Sequence, residues 1–143
     1  MNVVFYYNKC QSKKEFEVLI KTFSTAISKV IELPDTIEVC LYKFAKNVYG
    51  GIDLYRVNRI GINYDLLLQD VPLILTHELI HVHQKHTKVF KTDKNNFYWH
   101  GILQNVKSIE NLSFEEYENL PWEIDVRLKQ MEVFKKALSF IQQ

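Results

Sequence analysis

Thr76-His77-Glu78-Leu79-Ile80-His81 is the stretch on which the fold depends, and it lies within an apolar run from Val71 to Val82. Residues four apart share one face of a helix, with Cβ atoms about 5–6 Å apart, so His77 and His81 can direct two imidazoles at one ion. Glu78 is displaced by about 100° around that helix, where it can reach a water molecule without being a ligand. The apolar residues on the other sides predict a buried helix, whose polar groups need partners. The pattern therefore predicts a metal site.

The residue types at this site indicate zinc. Zinc accepts neutral histidine nitrogens and carboxylates, and a catalytic zinc needs three protein ligands and one open position. One Zn2+ ion is therefore the predicted cofactor, with His77 and His81 as two of its ligands. Glu123, in the first turn of a later helix, and His100 are the candidates for the third ligand. The alternative interpretation is a pair of core histidines bonded to backbone, with Glu78 paired to a base.

Length and composition predict one soluble domain, residues 1–143. Lys+Arg number 18 and Asp+Glu 17, and this balance gives no electrostatic footprint for nucleic acid. Two cysteines, Cys10 and Cys40, are too few for a disulfide framework and are predicted to be free thiols. The N-terminus lacks the features of a secretory signal, and no apolar run is long enough to span a bilayer. A cytoplasmic protein without a membrane partner is expected.

The first half of the chain alternates strand and helix patterns. Residues 2–8 predict a strand, and residues 12–32 predict an amphipathic helix that opens with a capping box at Ser12. A half-buried strand follows at 37–42. Gly50-Gly51 then indicates a two-residue hairpin turn, from which residues 52–62 return as a second strand.

The second half contains the predicted metal-site helix and a long final helix. Asp70 is the predicted N-cap of the metal-site helix. Residues 87–96 are predicted as a loop, and residues 97–106 as a short helix. Ser113 opens a second capping box, and Pro121 begins the last helix. The predicted apolar stripe of that helix is Ile124, Leu128, Met131, Phe134, Leu138 and Ile141. On the metal-site helix, His83 is predicted to face away from the ion and Gln84 to be a packed polar side chain.

His77-Glu78-Leu79-Ile80-His81, followed by Pro121-Trp122-Glu123-Ile124-Asp125-Val126, resembles the zincin metallopeptidases over residues 70–130. Within that group the chain resembles the small single-domain gluzincins, including those of phages and bacteria, more than the large two-domain ones. It implies an α+β, zincin-like fold: a small, largely antiparallel sheet, an N-terminal packing helix, an active-site helix and a C-terminal helix carrying the third ligand, Glu123. Arg127 stands where many gluzincins have Asp or Asn, so Asp125 is a candidate to replace that residue or to be the ligand itself.

The resemblance implies a zinc-dependent metallopeptidase that hydrolyses peptide bonds, with Glu78 as general base and a peptide or protein as substrate. The peptide is expected to add as a strand to residues 52–62. Tyr117, Tyr64 and Tyr98 are candidates to stabilise the oxyanion. One alternative is an SprT-like protease, which the chain resembles at His77–His81 and at His100-Gly101, with His100 as third ligand. The other is a zinc-binding or protein-binding module without catalysis.

Overall fold

The computed structural model describes residues 1–44, 48–53, 56–94, 96–106 and 109–142. Within them the strands are β1 (Asn2–Tyr7), β2 (Thr36–Tyr42), β3 (Gly50–Ile52), β4 (Arg59–Asn63), β5 (Phe90–Asp93), β6 (Asn96–Trp99) and β7 (Ile102–Gln104). The α-helices are α1 (Lys14–Ser28), α2 (Val71–His86), α3 (Phe114–Glu118) and α4 (Pro121–Ile141). The fold is of the α+β class, as the sequence predicts. None of these helices combines the length and the apolar character needed to cross a membrane.

The larger sheet has the strand order β1-β2-β4-β3 and is mixed. β1 and β4 both run parallel to β2, and only the edge strand β3 is antiparallel to its neighbour β4. The prediction of a largely antiparallel sheet is therefore wrong here. Parallel strands need a long crossover connection, and α1 supplies it between β1 and β2.

The predicted hairpin turn at Gly50-Gly51 is also wrong. These two glycines lie within β3, and their partners in β4 are Ile62 and Gly61. The return to β4 is made through residues 53–58, of which 54 and 55 lie outside the described residues. The predicted strand 52–62 thus covers the last residue of β3 and the first four residues of β4.

The main core lies between the inner face of this sheet and helices α1, α2 and α4. Alternate residues of β2, Ile37, Val39 and Leu41, are fully buried there, as the period of two predicts. α1 is shorter than predicted, and its predicted capping box does not form. Lys13 is the N-cap, and its backbone N–H donates to the hydroxyl of Tyr7 at 3.0 Å instead.

Residues Phe90 to Gln104 form a second, three-stranded antiparallel sheet, β5-β6-β7. The predicted loop at 87–96 and the predicted helix at 97–106 are wrong. Phe97 and Trp99 alternate inward onto a small core that contains Phe90 and Trp122, and this packing favours strands. β6 and β7 are joined by His100 and Gly101, whose φ angles of 50° and 78° are those of a tight hairpin turn.

α3 and α4 begin as the sequence predicts. Ser113 and Glu116 form the capping box of α3, and Pro121 occupies the first turn of α4. The predicted apolar stripe of α4 is wrong in its first half, because Leu128 is 78% exposed and Met131 50%. The buried face is instead made of Trp122, Glu123, Val126, Val133 and Ala137. Burial of Glu123 on that face brings a carboxylate toward α2.

Candidate metal centre

Two helices that are distant in sequence form the candidate site. α2 lies in the core, with its buried face against α4 and α1, and carries His77, Glu78 and His81. α4 begins at Pro121, where the missing backbone N–H is harmless in a first turn. Its start is fixed by Trp122, whose ring stacks on Phe90 with centroids 4.3 Å apart and planes 10° apart. This stacking orients the next residue, Glu123, toward α2.

His77, His81 and Glu123 converge on one point. The Nε2 atom of His81 lies 3.1 Å from Oε1 of Glu123, and Nε2 of His77 lies 3.6 Å from Oε2 of the same carboxylate. One ligand atom from each residue lies within 4.8 Å of the others, so the cluster could hold a metal ion. His81 and Glu123 are buried, whereas the His77 side chain is 27% exposed and borders the outside.

Each histidine has a glutamine at its other ring nitrogen. Nδ1 of His81 lies 2.9 Å from Oε1 of Gln84, and Nδ1 of His77 lies 2.9 Å from Oε1 of Gln130. The sequence predicts Gln84 only as a packed polar side chain, without this contact to His81. The contact of Gln130 with His77 is not predicted either, although Gln130 lies seven residues after Glu123 and hence on the same face of α4. Both Nε2 atoms are thereby left to face the carboxylate.

The electrostatics of the cluster favour a positive charge at its centre. Burial alone would raise the pKa of Glu123, but hydrogen bonds with His77 and His81 outweigh it and hold the pKa well below its usual range. Burial lowers the pKa of His77, yet the hydrogen bond to Glu123 and the charge of Glu78 outweigh burial, so the pKa is raised. The carboxylate is therefore ionised, and it stabilises the protonated form of His77.

Glu78 does not belong to this cluster of ligand atoms but borders it. The residue is 6% exposed, and burial raises the pKa of its carboxyl, while the neighbouring His81 and His77 oppose that rise. Glu78 lines a cavity of about 230 Å³ together with His81 and Glu123. A carboxyl group with a raised pKa, beside a candidate metal ion, is suited to accepting and returning a proton.

The other walls of this cavity are apolar or made of bare backbone. Strand β3 contributes one wall, with Gly50, Gly51 and Ile52. Phe90, Ile109 and Trp122 form an apolar part of the lining, and Tyr117 completes it. Because β3 is the edge of its sheet, the backbone beside the cavity has one side without a strand partner in the described residues.

Of the three tyrosines predicted for the oxyanion, the structure brings Tyr117 to the site. Its hydroxyl donates a hydrogen bond to Glu123, and burial together with the charge of Glu123 raises its pKa. Tyr64 lies instead near the start of α1, where the ammonium of Lys13 sits 4.0 Å from its ring centroid. Tyr98 points away from the small core, since its neighbours in β6 point into it.

Asp125 and His100, the other candidates for a third ligand, are not brought into the cluster. One oxygen of Asp125 accepts a hydrogen bond from Gln84 at 2.9 Å, and the other forms an ion pair with Lys129 at 2.9 Å. His100 is exposed in the turn between β6 and β7, where its backbone N–H donates to Val89. Among the described residues, Glu123 is the one that joins the two histidines.

Comparison of the chain with known proteins gives no relatives from which a function could be transferred. No family model matches the sequence, and neither the curated proteins nor the solved structures contain a match. The function is therefore inferred from the arrangement of His77, Glu78, His81 and Glu123 and from the cavity beside them.

Proposed function

We propose that this protein is a zinc-dependent metallopeptidase. The observation that carries the proposal is the convergence of two imidazole nitrogens and one carboxylate, with Glu78 beside them in the same cavity. A pair of ordinary core histidines would not require a buried carboxylate from another helix. The resemblance of His77–His81 to the zincin pattern supports the same function, with Glu123 as the third ligand.

The residues present fit a zinc ion. Zinc binds histidine nitrogen and carboxylate oxygen at about 2.0–2.2 Å, so tetrahedral ligands lie roughly 3.3 Å from one another. The separations of 3.1 Å and 3.6 Å between Glu123 and the histidine Nε2 atoms lie on either side of that value. When bound, the ion would supply the Lewis acidity that polarises a carbonyl group and lowers the pKa of water toward about 7.

Glu78 is the proposed proton carrier. It accepts a proton from the water that attacks the scissile carbonyl carbon, and it then delivers this proton to the leaving amine nitrogen. Its raised pKa brings the carboxyl closer to neutral pH, where both transfers are easier. Tyr117, which lines the same cavity, is the proposed hydrogen-bond donor to the developing oxyanion, and its single hydroxyl proton would turn to the oxyanion from Glu123.

The substrate class follows from the cavity. The edge strand β3 offers its backbone to an extended peptide, which would bind by strand addition. The proposed peptide-binding strand is therefore Gly50–Ile52 rather than the predicted 52–62. Phe90, Ile109 and Trp122 favour an apolar side chain next to the scissile bond. At about 230 Å³ the cavity is smaller than the 300–1,000 Å³ typical of whole-ligand pockets, so it suits one large side chain.

The test combines metal analysis with peptide cleavage. Purified protein is expected to contain one zinc per chain and to cleave a peptide library before or after bulky apolar residues, and a chelator should stop the cleavage. Glu78→Gln should keep the zinc and lose hydrolysis. His83→Gln is the matched control, since His83 lies on the same helix with its Nδ1 2.7 Å from the carbonyl oxygen of Glu32. Zinc binding without cleavage by the parent protein would instead indicate a binding module.

A further inference from the structure

The orientation of the Gln84 amide is fixed by its surroundings. Gln84 is fully buried, and its Nε2 lies 3.0 Å from the carbonyl oxygen of Trp122 and 2.9 Å from Oδ2 of Asp125. Both of these partners are acceptors, so the NH₂ group of the amide must lie on their side. The amide oxygen therefore faces His81, and it can only accept.

This orientation determines the tautomer of His81. Its Nδ1 atom, 2.9 Å from the amide oxygen of Gln84, must carry a proton and donate it. In the neutral imidazole the Nε2 atom then has a free lone pair, and this atom lies 3.1 Å from Glu123. A lone pair and a carboxylate that face each other repel unless a cation lies between them; that cation is a proton in the hydrogen bond described above and would be the metal ion in the loaded site. Gln84 thus prepares His81 to be a ligand through Nε2.

A second amide, that of Gln130, contacts the other histidine, and it differs from Gln84 in its burial and in the helix that carries it. Oε1 of Gln130 lies 2.9 Å from Nδ1 of His77, but Gln130 is only half buried. Gln130 comes from α4, the helix that also contributes Glu123 and Asp125. α4 therefore supplies the ligand Glu123, the partner of His77 and the carboxylate that holds Gln84, while Gln84 itself lies on α2.

We propose that Gln84 and Gln130 are positioning residues that set the metal affinity of the site, and that Asp125 acts by locking Gln84. The proposal rests on the metal centre of the proposed function. A histidine ligand held by a partner at its other nitrogen keeps its tautomer and ring orientation, and loss of such a partner typically weakens metal binding 10–100-fold. Both partners here are neutral amides, which accept a hydrogen bond from Nδ1–H without adding charge.

The test measures zinc affinity by competition with a chromophoric chelator, using folded protein whose metal has been removed. Gln130→Leu is expected to weaken binding roughly 10–100-fold. Gln130→Glu should instead bind about tenfold more tightly than the parent, because a carboxylate at Nδ1 raises the basicity of the imidazole. A purely structural role for Gln130 would not give opposite signs for these two variants.

The lock on Gln84 has its own pair of variants. Asp125→Ala should weaken zinc binding roughly 10-fold, whereas Asp125→Asn keeps an acceptor oxygen for Gln84 and should stay near the parent value. Lys129→Ala is the matched control, since Lys129 contacts the other oxygen of Asp125. Gln84→Met removes the partner of His81 and is expected to weaken zinc binding roughly 10–100-fold. Should this variant fail to fold, the variants at positions 125 and 130 still decide the question.

The outcomes separate this inference from the proposed function. Parent protein that binds zinc while Gln130→Leu, Gln130→Glu and Asp125→Ala bind it as tightly as the parent would overturn the positioning role and leave the peptidase proposal standing. Parent protein that binds zinc without cleaving peptides would overturn the peptidase proposal alone. Nitrogen NMR of His81 gives a readout independent of activity: the Nδ1–H tautomer is expected in the zinc-loaded parent, and the opposite tautomer would overturn the inference.

Discussion

Gly50 lies directly against Glu78, so that a Cβ atom on Gly50 would come 3.2 Å from the Cγ atom of Glu78. The same Cβ would lie 3.0 Å from the carbonyl oxygen of Gly61 and 3.3 Å from Cγ2 of Ile74. Contacts this short require a neighbour to move. The edge strand β3 can therefore approach the proposed base only because residue 50 has no side chain.

We predict that Gly50→Ala lowers kcat by roughly tenfold or more, because small displacements of a reacting group are costly. Zinc affinity should stay near the parent value, since the three ligands lie on α2 and α4. Gly51→Ala is the control, because a Cβ at Gly51 meets no atom within 4 Å. Steady-state kinetics together with zinc competition would check this, and equal kcat values for the two variants would contradict it.

Glu123→Gln is predicted to weaken zinc binding by roughly 100-fold or more. This loss is larger than the 10–100-fold typical when a residue that only hydrogen-bonds to a metal ligand is removed. In the metal-free variant the pKa of His77 should fall, because burial lowers that pKa and the opposing hydrogen bond to the carboxylate is removed. Histidine NMR across a pH series measures this shift. Glu132→Gln on the same helix, which removes only an exposed ion pair with Lys136, should change neither quantity.

Tyr117→Phe is predicted to lower kcat by about 100-fold, the loss expected when one donor to an oxyanion is removed. Zinc affinity should change less than tenfold, because the histidines and Glu123 remain. Tyr98→Phe, on the small sheet, is the control and should behave as the parent. An unchanged kcat in Tyr117→Phe would assign the hydroxyl to holding Glu123 rather than to the reaction.

Lys85, one turn after His81, donates hydrogen bonds to the carbonyl oxygens of Asp53 and Arg56. Lys85→Met is predicted to lower the free energy of unfolding at pH 7 by about 1–3 kcal/mol, because charge-assisted hydrogen bonds are lost. Urea titration of both proteins measures the difference. Lys91→Met, at an exposed position of β5, should have little effect.

The difference in free energy of unfolding between the parent and Lys85→Met should depend on pH with a definite sign. Burial lowers the pKa of Lys85 below its usual 10.5, so the unfolded chain binds more protons between the two pKa values. The stability of the parent relative to Lys85→Met should therefore increase as the pH rises through this alkaline window. Subtracting the variant cancels the titration of other groups. A difference that decreases with pH would contradict the lowered pKa.

Local patterns predicted the helices better than the sheets. The capping box at Ser113, the start of α4 at Pro121 and the helix around His77 follow from short-range chemistry. The parallel order of β1, β2 and β4 depends on the path of the chain through α1, which strand periodicity does not report. The sequence Gly50-Gly51 predicts a turn because glycine is common in turns. In the structure, the missing side chain of Gly50 instead lets β3 approach α2 closely.

The sequence predicts the part of the candidate site that lies on one helix, but not the contacts made where two helices meet. His77, Glu78 and His81 share a spacing that a single helix imposes. Glu123 was chosen over His100 by resemblance rather than geometry, and Gln130 had no local signal linking it to His77. The exposed half of the predicted α4 stripe shows the same limit, because the buried face of a helix is chosen by its partners.

Two ligands on α2 and one on α4 make a bound ion a cross-link within the chain. The segment that it closes, residues 82–122, includes the whole of the β5-β6-β7 sheet and α3. The small sheet contacts α2 through β5, and its apolar cluster includes Trp122 of α4. A bound ion would therefore tie α2 to α4 at the two ends of the segment that carries the small sheet, and a chelator would be expected to loosen this segment before the main core.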